Sequence, residues 1–170
     1  MQQTMSHRTI IIGVMGGANV SDSDRKDAYE LGKLIAENGW ILLNGGRNCG
    51  IMDASARGAR KNGGITVGIL PDSDPEKLSD SIQIPIITGM GSARNIINVL
   101  SSSMVVACKG GPGTISEIAL ALKHGKKVVL MNFSITPLFE DYRQKGRLIA
   151  AHTPVEVIAH LKRMMSELKF

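Results

Sequence analysis

Short apolar runs rich in β-branched residues alternate with helical patterns along nearly the whole chain, and that rhythm constrains the fold more than any other feature. The candidate strands are Thr9–Met15, Trp40–Asn44, Ile65–Leu70, Ile84–Thr88, Met104–Cys108 and Lys127–Met131, with Leu148–Ala150 as a seventh. Near-continuous apolarity in runs this short marks strands buried on both faces, as in parallel sheets. Helical patterns fall between them at about Asp24–Asn38, Ile51–Asn62, Ser92–Ser103, Thr114–His124 and Pro154–Leu168. The expected architecture is α/β: a doubly wound, mostly parallel, Rossmann-like sheet of about six or seven strands with right-handed crossovers. A length of 170 residues, with no internal repeat and no shift in composition, fits one ligand-binding domain over residues 1–170.

Two local signals refine this picture. Thr153-Pro154-Val155-Glu156 offers an N-cap, a proline at the first helical position and a capping-box glutamate. The helix after it carries Ile158, Leu161, Met165 and Leu168 at spacings of three and four, a stripe that docks on a core or on a second subunit. Pro71-Asp72-Ser73-Asp74-Pro75 breaks the pattern and opens an irregular excursion ending near Ile84.

The 19 glycines are not scattered. Ligands of open α/β sheets bind beyond the carboxyl ends of the strands, near the point where strand order reverses. Glycines cluster at those ends: Gly16-Gly17, Gly45-Gly46, Gly89 with Gly91, and Gly110, Gly111 and Gly113. With strand order 3-2-1-4-5, the loops after the first, fourth and fifth strands would converge on one crevice. The run Lys109-Gly110-Gly111-Pro112-Gly113-Thr114 passes from strand to helix, so backbone N–H groups and a helix dipole face a place where an anion can sit.

Common nucleotide fingerprints are missing. Gly13-Val14-Met15-Gly16-Gly17 lacks G-x-G-x-x-G spacing, the second strand ends in Asn44-Gly45-Gly46 rather than a ribose-binding carboxylate, and there is no G-x-x-x-x-G-K-[ST] loop. NAD is therefore not expected. Arg94 falls in the first turn of a helix beginning at Gly91-Ser92, where its charge opposes the helix dipole. It either compensates a bound anion or swings out to solvent. Glu117 stands three residues after Thr114, so it is either the glutamate of a capping box or a carboxylate in the crevice, able to bind hydroxyls or act in acid–base catalysis.

Other classes lose ground. The net charge of +5 favours anionic partners, but the basic residues are scattered and aromatics are only 4%, which argues against a nucleic-acid surface. Met1–Arg8 is polar, the apolar run after it is too short for a signal peptide, and nothing approaches a membrane span. Cys49 and Cys108 lack metal-ligand spacing, and the four histidines pair with no nucleophile motif. A cytoplasmic protein without structural metal is expected.

Gly110-Gly111-x-Gly113-Thr114-x-x-Glu117, together with Arg94, resembles the Lonely Guy phosphoribohydrolases of the lysine-decarboxylase-like Rossmann superfamily, which cleave the N-glycosidic bond of cytokinin nucleotides. Over essentially the whole chain, the sequence is more similar to the molybdenum cofactor carrier proteins. The matching segments are Ile12–Gly16, Gly39–Leu43, Gly45-Gly46-Arg47, Gly89-Met90-Gly91-Ser92-Ala93-Arg94-Asn95 and Gly111–Thr114.

That resemblance implies a homotetrameric or dimeric carrier of the phosphorylated pterin cofactor, with molybdenum enzymes as recipients. Its binding residues would be Gly16, Gly17, Gly45, Gly46, Arg47, Gly89, Ser92, Arg94, Asn95, Gly110, Gly111, Pro112, Gly113, Thr114 and Glu117. Where the hydrolases have paired glutamates this chain has Ser116-Glu117, and where they usually have lysine it has Asn95. Those departures favour binding over catalysis. In the enzyme alternative, Arg94 and Glu117 would assist departure of the base from a cytokinin or purine nucleoside monophosphate.

Overall fold

Residues 9–135 and 137–166 are described by the computed structural model. Seven strands, β1 (Ile11–Met15), β2 (Ile41–Asn44), β3 (Thr66–Leu70), β4 (Ile84–Ile87), β5 (Met104–Cys108), β6 (Val128–Met131) and β7 (Leu148–Ala151), form one sheet. Every neighbouring pair in it is parallel. The helices are α1 (Asp22–Glu37), α2 (Gly50–Lys61), α3 (Asn95–Ser101), α4 (Pro112–Lys123), α5 (Glu140–Gln144) and α6 (Pro154–Ser166), with a 3₁₀ turn at Gly91–Arg94 leading into α3. The Rossmann-like α/β architecture is as expected. The short helix α5 has no counterpart in the sequence reading, and Met1–Arg8, His7 and Leu168 lie outside the described residues.

Strand order differs from the expected 3-2-1-4-5. It is β4-β3-β2-β1-β5-β6-β7, so Ile84–Ile87 is the edge strand beside β3, and Met104–Cys108 is the neighbour of β1. The reversal point therefore lies between β1 and β5, and the loop after β4 is remote from it in the sheet. The 3₁₀ turn and α3, next along the chain, carry that segment back toward β1. Nor is β4 buried as its apolar sequence implied. All four of its residues are exposed, Ile84, Ile86 and Ile87 by 43–48%, at the edge of the sheet where it pairs with β3 alone.

Alternation along the central strands feeds two cores. Ile12 and Val14 of β1 join Leu31 and Ile35 of α1, Ile51 of α2 and Leu161 of α6 on one face. Met15, Val99 of α3 and Ile118 and Leu122 of α4 pack on the other. Each such fully buried side chain contributes about 1.5–3 kcal/mol. The α6 stripe is thereby settled: Ile158 and Leu161 dock on the chain's own core, with Met165 at its margin.

Caps explain several boundaries. Ser21 caps α1 reciprocally with Asp24, so that helix begins before the expected Asp24. At α6, Glu156 N donates to Thr153 Oγ1 (3.2 Å), while the Glu156 carboxylate accepts from His152 N (2.7 Å), one residue further back than a capping box requires. The Thr114–Glu117 capping box does not form. Pro112 occupies the first helical position and Gly111 is the N-cap, which leaves Thr114 inside the helix and Glu117 available to another partner.

The excursion from Pro71 to Gln83 is irregular, as expected, and stitched to the β2 loop. Asn48 N donates to Lys77 O (2.9 Å), Ser79 N to Gly46 O (2.9 Å), and Ser79 Oγ to Asp53 Oδ1 (2.7 Å). Between α1 and α2 the backbones meet at two glycines. A β-carbon at Gly32 would run into the carbonyl oxygen of Ser55, and one at Gly58 into that of Tyr29.

Candidate functional site

A cavity of about 250 Å³ opens at the carboxyl end of the sheet where β1 and β5 diverge. Its walls come from the loops after β1, β2 and β5, the first turn of α4 and the start of α3. Of the residues singled out from sequence, the cavity brings together Gly16, Gly17, Gly45, Arg94, Asn95, Gly111, Pro112, Gly113, Thr114 and Glu117. Gly46, Arg47, Gly89, Ser92 and Gly110 do not line it. Val14, Met15, Ala18 and Met52 do, and sequence reasoning missed them, although their places beside the glycine loops and at the start of α2 were a usable signal.

The loops close on each other because they lack side chains. Gly17 N donates to Lys109 O (3.0 Å), and Ile51 N to Gly17 O (3.0 Å), which locks the β1 loop between the β5 loop and the start of α2. A β-carbon at Gly110 would strike Thr114 Oγ1, and one at Gly16 would stand 2.6 Å from Ile51 Cγ1. Gly50 has φ +54°, a conformation strained for any residue with a β-carbon. Gly110 thus packs behind Thr114 rather than facing the cavity, and Gly46 packs against Gly68 and Leu70 of β3.

α4 begins at Pro112 with no side chain capping it, and Ile115 N makes an early intrahelical bond to Gly111 O (3.1 Å). The first-turn N–H groups of an α-helix have no intrahelical acceptor, and they concentrate the positive end of its dipole.

Opposite that turn lies a buried charged cluster. Arg94 is 9% and Glu117 6% exposed, which excludes a solvent-facing Arg94. Arg94 Nη1 donates to Asn95 Oδ1 (2.7 Å) and to Glu117 Oε1 (3.3 Å), and Asn98 Nδ2 donates to the same Glu117 oxygen (2.8 Å). Arg94 Nε and Asn98 Oδ1 are buried without a hydrogen-bond partner. A buried, unpaired N–H on a guanidinium is an unmet demand for an acceptor.

Burial pushes the Glu117 carboxyl above the usual carboxylate range, against the opposing pull of Asn98 and Arg94. Burial also draws Arg94 down, with Glu117 acting against it; a guanidinium starts so high that it stays protonated. Asn95 Nδ2 donates to Ser116 Oγ (2.9 Å), and Ser116 Oγ to Gly113 O (2.7 Å). The two positions at which the chain departs from the hydrolase pattern therefore form one neutral hydrogen-bonded chain between α3 and α4.

Arg47 is engaged elsewhere. Its Nε and Nη2 form a fork on Asp72 (2.8 and 2.7 Å), which raises the Arg47 pKa and holds that of Asp72 down. Ser92 and Gly89 are exposed on the loop after β4. Among the described residues, no cluster of His, Cys, Asp or Glu could hold a metal ion, and no helix is long and apolar enough to cross a membrane.

Residues 9–158 match the SLOG cluster4 family. The chain belongs to that family. Among solved structures it is similar to the molybdenum cofactor binding protein of the phototrophic bacterium Rippkaea orientalis, with 46% identity and a TM-score of 0.88 over 94% of this chain and 99% of that one. The molybdenum cofactor carrier protein of Chlamydomonas reinhardtii gives 43% and 0.84 over 94% and 99%. A cytokinin riboside 5'-monophosphate phosphoribohydrolase of Mycobacterium tuberculosis is 34% identical over 100 residues, 54% of this chain and half the length of that enzyme. Both resemblances seen in the sequence are thus recovered, and this SLOG cluster4 chain is alike along nearly its full length to the cofactor-binding proteins.

Proposed function

We propose that this SLOG cluster4 protein is a carrier of molybdenum cofactor that holds the cofactor's terminal phosphate at the first turn of α4. The observation that carries this reading is the buried Arg94, its Nε without a hydrogen-bond partner, on the wall of a cavity whose other wall is an uncapped helix start. Together they supply donors to a phosphate and no competing side-chain acceptor at the helix end. The near-full-length likeness to two proteins whose names state cofactor binding supplies the ligand class. Gly111, Gly113 and Thr114 would grip the phosphate through the main chain, with Arg94 and Asn95 beside it, and Gly16, Gly17 and Gly45 would let the pterin approach the backbone. Arg47, Gly89 and Ser92, outside the cavity, would meet only the far end of the ligand.

Binding, rather than hydrolysis, is the favoured activity because Ser116 and Asn95 are tied to each other and to Gly113, leaving Glu117 as the one carboxylate among the described residues that line the cavity. The proposal extends to a single domain acting as a cytoplasmic homo-oligomer that passes its cargo to molybdenum enzymes. Titration calorimetry with molybdenum cofactor under anoxia tests it: saturable binding to wild type, lost in Arg94→Ala, is expected, and no saturable binding would overturn it.

The phosphoribohydrolase reading keeps one observation in its favour, the buried Arg94–Glu117 contact inside the cavity. Incubation with AMP and isopentenyl-AMP, followed by chromatography for free base, decides it. Base release by wild type that Glu117→Gln abolishes would establish hydrolysis.

A further inference from the structure

Charge inside the cavity does not balance for the ligand class proposed above. Among the described residues, the ionisable side chains lining it are Arg94 and Glu117, whose formal charges cancel. A phosphate monoester brings about two negative charges at neutral pH, and the start of α4 offsets only about half of one. Were Glu117 to stay ionised, a doubly charged ligand and a carboxylate would share one buried guanidinium. Like charges at that range in a poorly solvated site strongly disfavour the ionised form of one of them.

Resting on the carrier reading, we propose that Glu117 is a specificity residue that takes up one proton from solvent when a phosphate monoester fills the cavity, so that ligand and proton bind together. No bond of the ligand is made or broken; the proton goes to the Glu117 carboxyl.

Three features of the geometry suit this role. Glu117 is the carboxylate that holds Arg94 Nη1 (3.3 Å), so neutralising it weakens the ion pair that competes with a phosphate for the guanidinium, whose Nη2 lies beside the cavity-lining Gly45. Asn98 presents Nδ2 to Glu117 Oε1 at 2.8 Å, while its own Oδ1 is buried without a partner. A half-turn of that amide would bring the orphaned acceptor to a protonated carboxyl. Burial already leans the carboxyl toward its neutral form before any ligand arrives.

The groups around Glu117 leave the task to it. Arg94 faces it from the 3₁₀ turn and Asn98 from α3. Asn95 and Ser116 are occupied with each other, and the cavity residues contributed by β1, α2 and the β5 loop are uncharged. Arg47 and Asp72 act on Arg94 from further out, but neutralise one another.

Proton inventories test the proposal. Molybdenum cofactor under anoxia, and separately AMP, are titrated calorimetrically into wild type and Glu117→Gln in buffers of different ionisation enthalpy, from about pH 5.5 to 8.5. Comparing the two proteins removes the phosphate's own titration. Wild type is expected to take up as much as one proton more per ligand than the variant, and its affinity to fall relative to the variant as pH rises, by at most about tenfold per pH unit.

Glutamine retains an oxygen for Asn98 and Arg94, which favours folding. If it fails to fold, infrared difference spectra of wild type alone serve instead: ligand should raise a protonated-carboxyl band from labelled glutamate. Equal inventories in the two proteins, or no such band, overturn proton coupling and leave the carrier reading standing. No saturable binding of either ligand to wild type overturns the carrier reading and proton coupling together.

Discussion

A β-carbon at Gly45 would stand 2.6 Å from Nη2 of Arg94 and 2.7 Å from Sδ of Met52. The guanidinium thus lies in space that exists because residue 45 has no side chain. Both obstructing atoms lie near the ends of flexible side chains, so Gly45→Ala should lower stability only modestly, by about 1 kcal/mol. Its effect on ligand should be larger, since displacing Arg94 removes charge-assisted hydrogen bonds worth about 1.5–3 kcal/mol, or about tenfold to a hundredfold in affinity. Denaturant titration and calorimetry on the same sample separate the two effects; a large stability loss with unchanged binding would contradict this.

Where α1 meets α2, the obstructing atoms are main chain. Gly58→Ala and Gly32→Ala each drive a methyl group against a carbonyl oxygen, that of Tyr29 and that of Ser55, and neither can yield without moving a helix. Each should lose about 3 kcal/mol. The double variant should lose less than the sum, because one separation of the helices relieves both clashes. Urea midpoints of the two singles and the double measure this.

Glu117 should also mark the pH dependence of stability. Its folded-state pKa is raised by burial, so the folded protein holds a proton that the unfolded chain has released. Wild-type stability should therefore fall as pH rises from the ordinary carboxylate value through the folded one. Glu117→Gln lacks that slope and should gain on wild type over the same interval. Parallel unfolding curves at several pH values, compared as differences, would reveal it; a constant difference would refute it.

The two cysteines should react on different terms. Cys108 is fully buried in β5 and its thiol is pushed up to about 12 by burial, whereas Cys49 at the start of α2 is half-buried. Thiolate is the reactive form. A chromogenic disulfide should therefore titrate one thiol in the native protein and a second only after unfolding, and Cys49→Ser should abolish the native reaction.

Much of this was legible in the sequence because it is local. Strand runs, glycine-rich strand ends and the awkward place of Arg94 are all short-range signals, and the structure brings most of those residues to one cavity. What eluded the sequence is non-local. Glu117 and Arg94 are 23 positions apart; the family resemblance put both in one site, but no spacing rule shows their contact, nor that Arg47 is held by Asp72, 25 residues on.

Two misjudged features did carry a readable sign. Proline within a strand belongs at a sheet edge, so Pro85 already placed β4 there. Proline also favours the first helical position, so Pro112 already put the start of α4 two residues before Thr114 and undid the capping box.

The cavity divides its labour between main chain and side chain. Glycine backbones of three loops and the first turn of α4 shape its floor, while Arg94, Asn95, Thr114 and Glu117 supply its side-chain polarity from one short stretch and the helix facing it. An inherited scaffold of that kind can change cargo by exchanging a few side chains without rebuilding a loop. Exchange at positions such as 95 and 116 would therefore alter polarity at and beside the cavity while leaving the glycine loops that shape it in place.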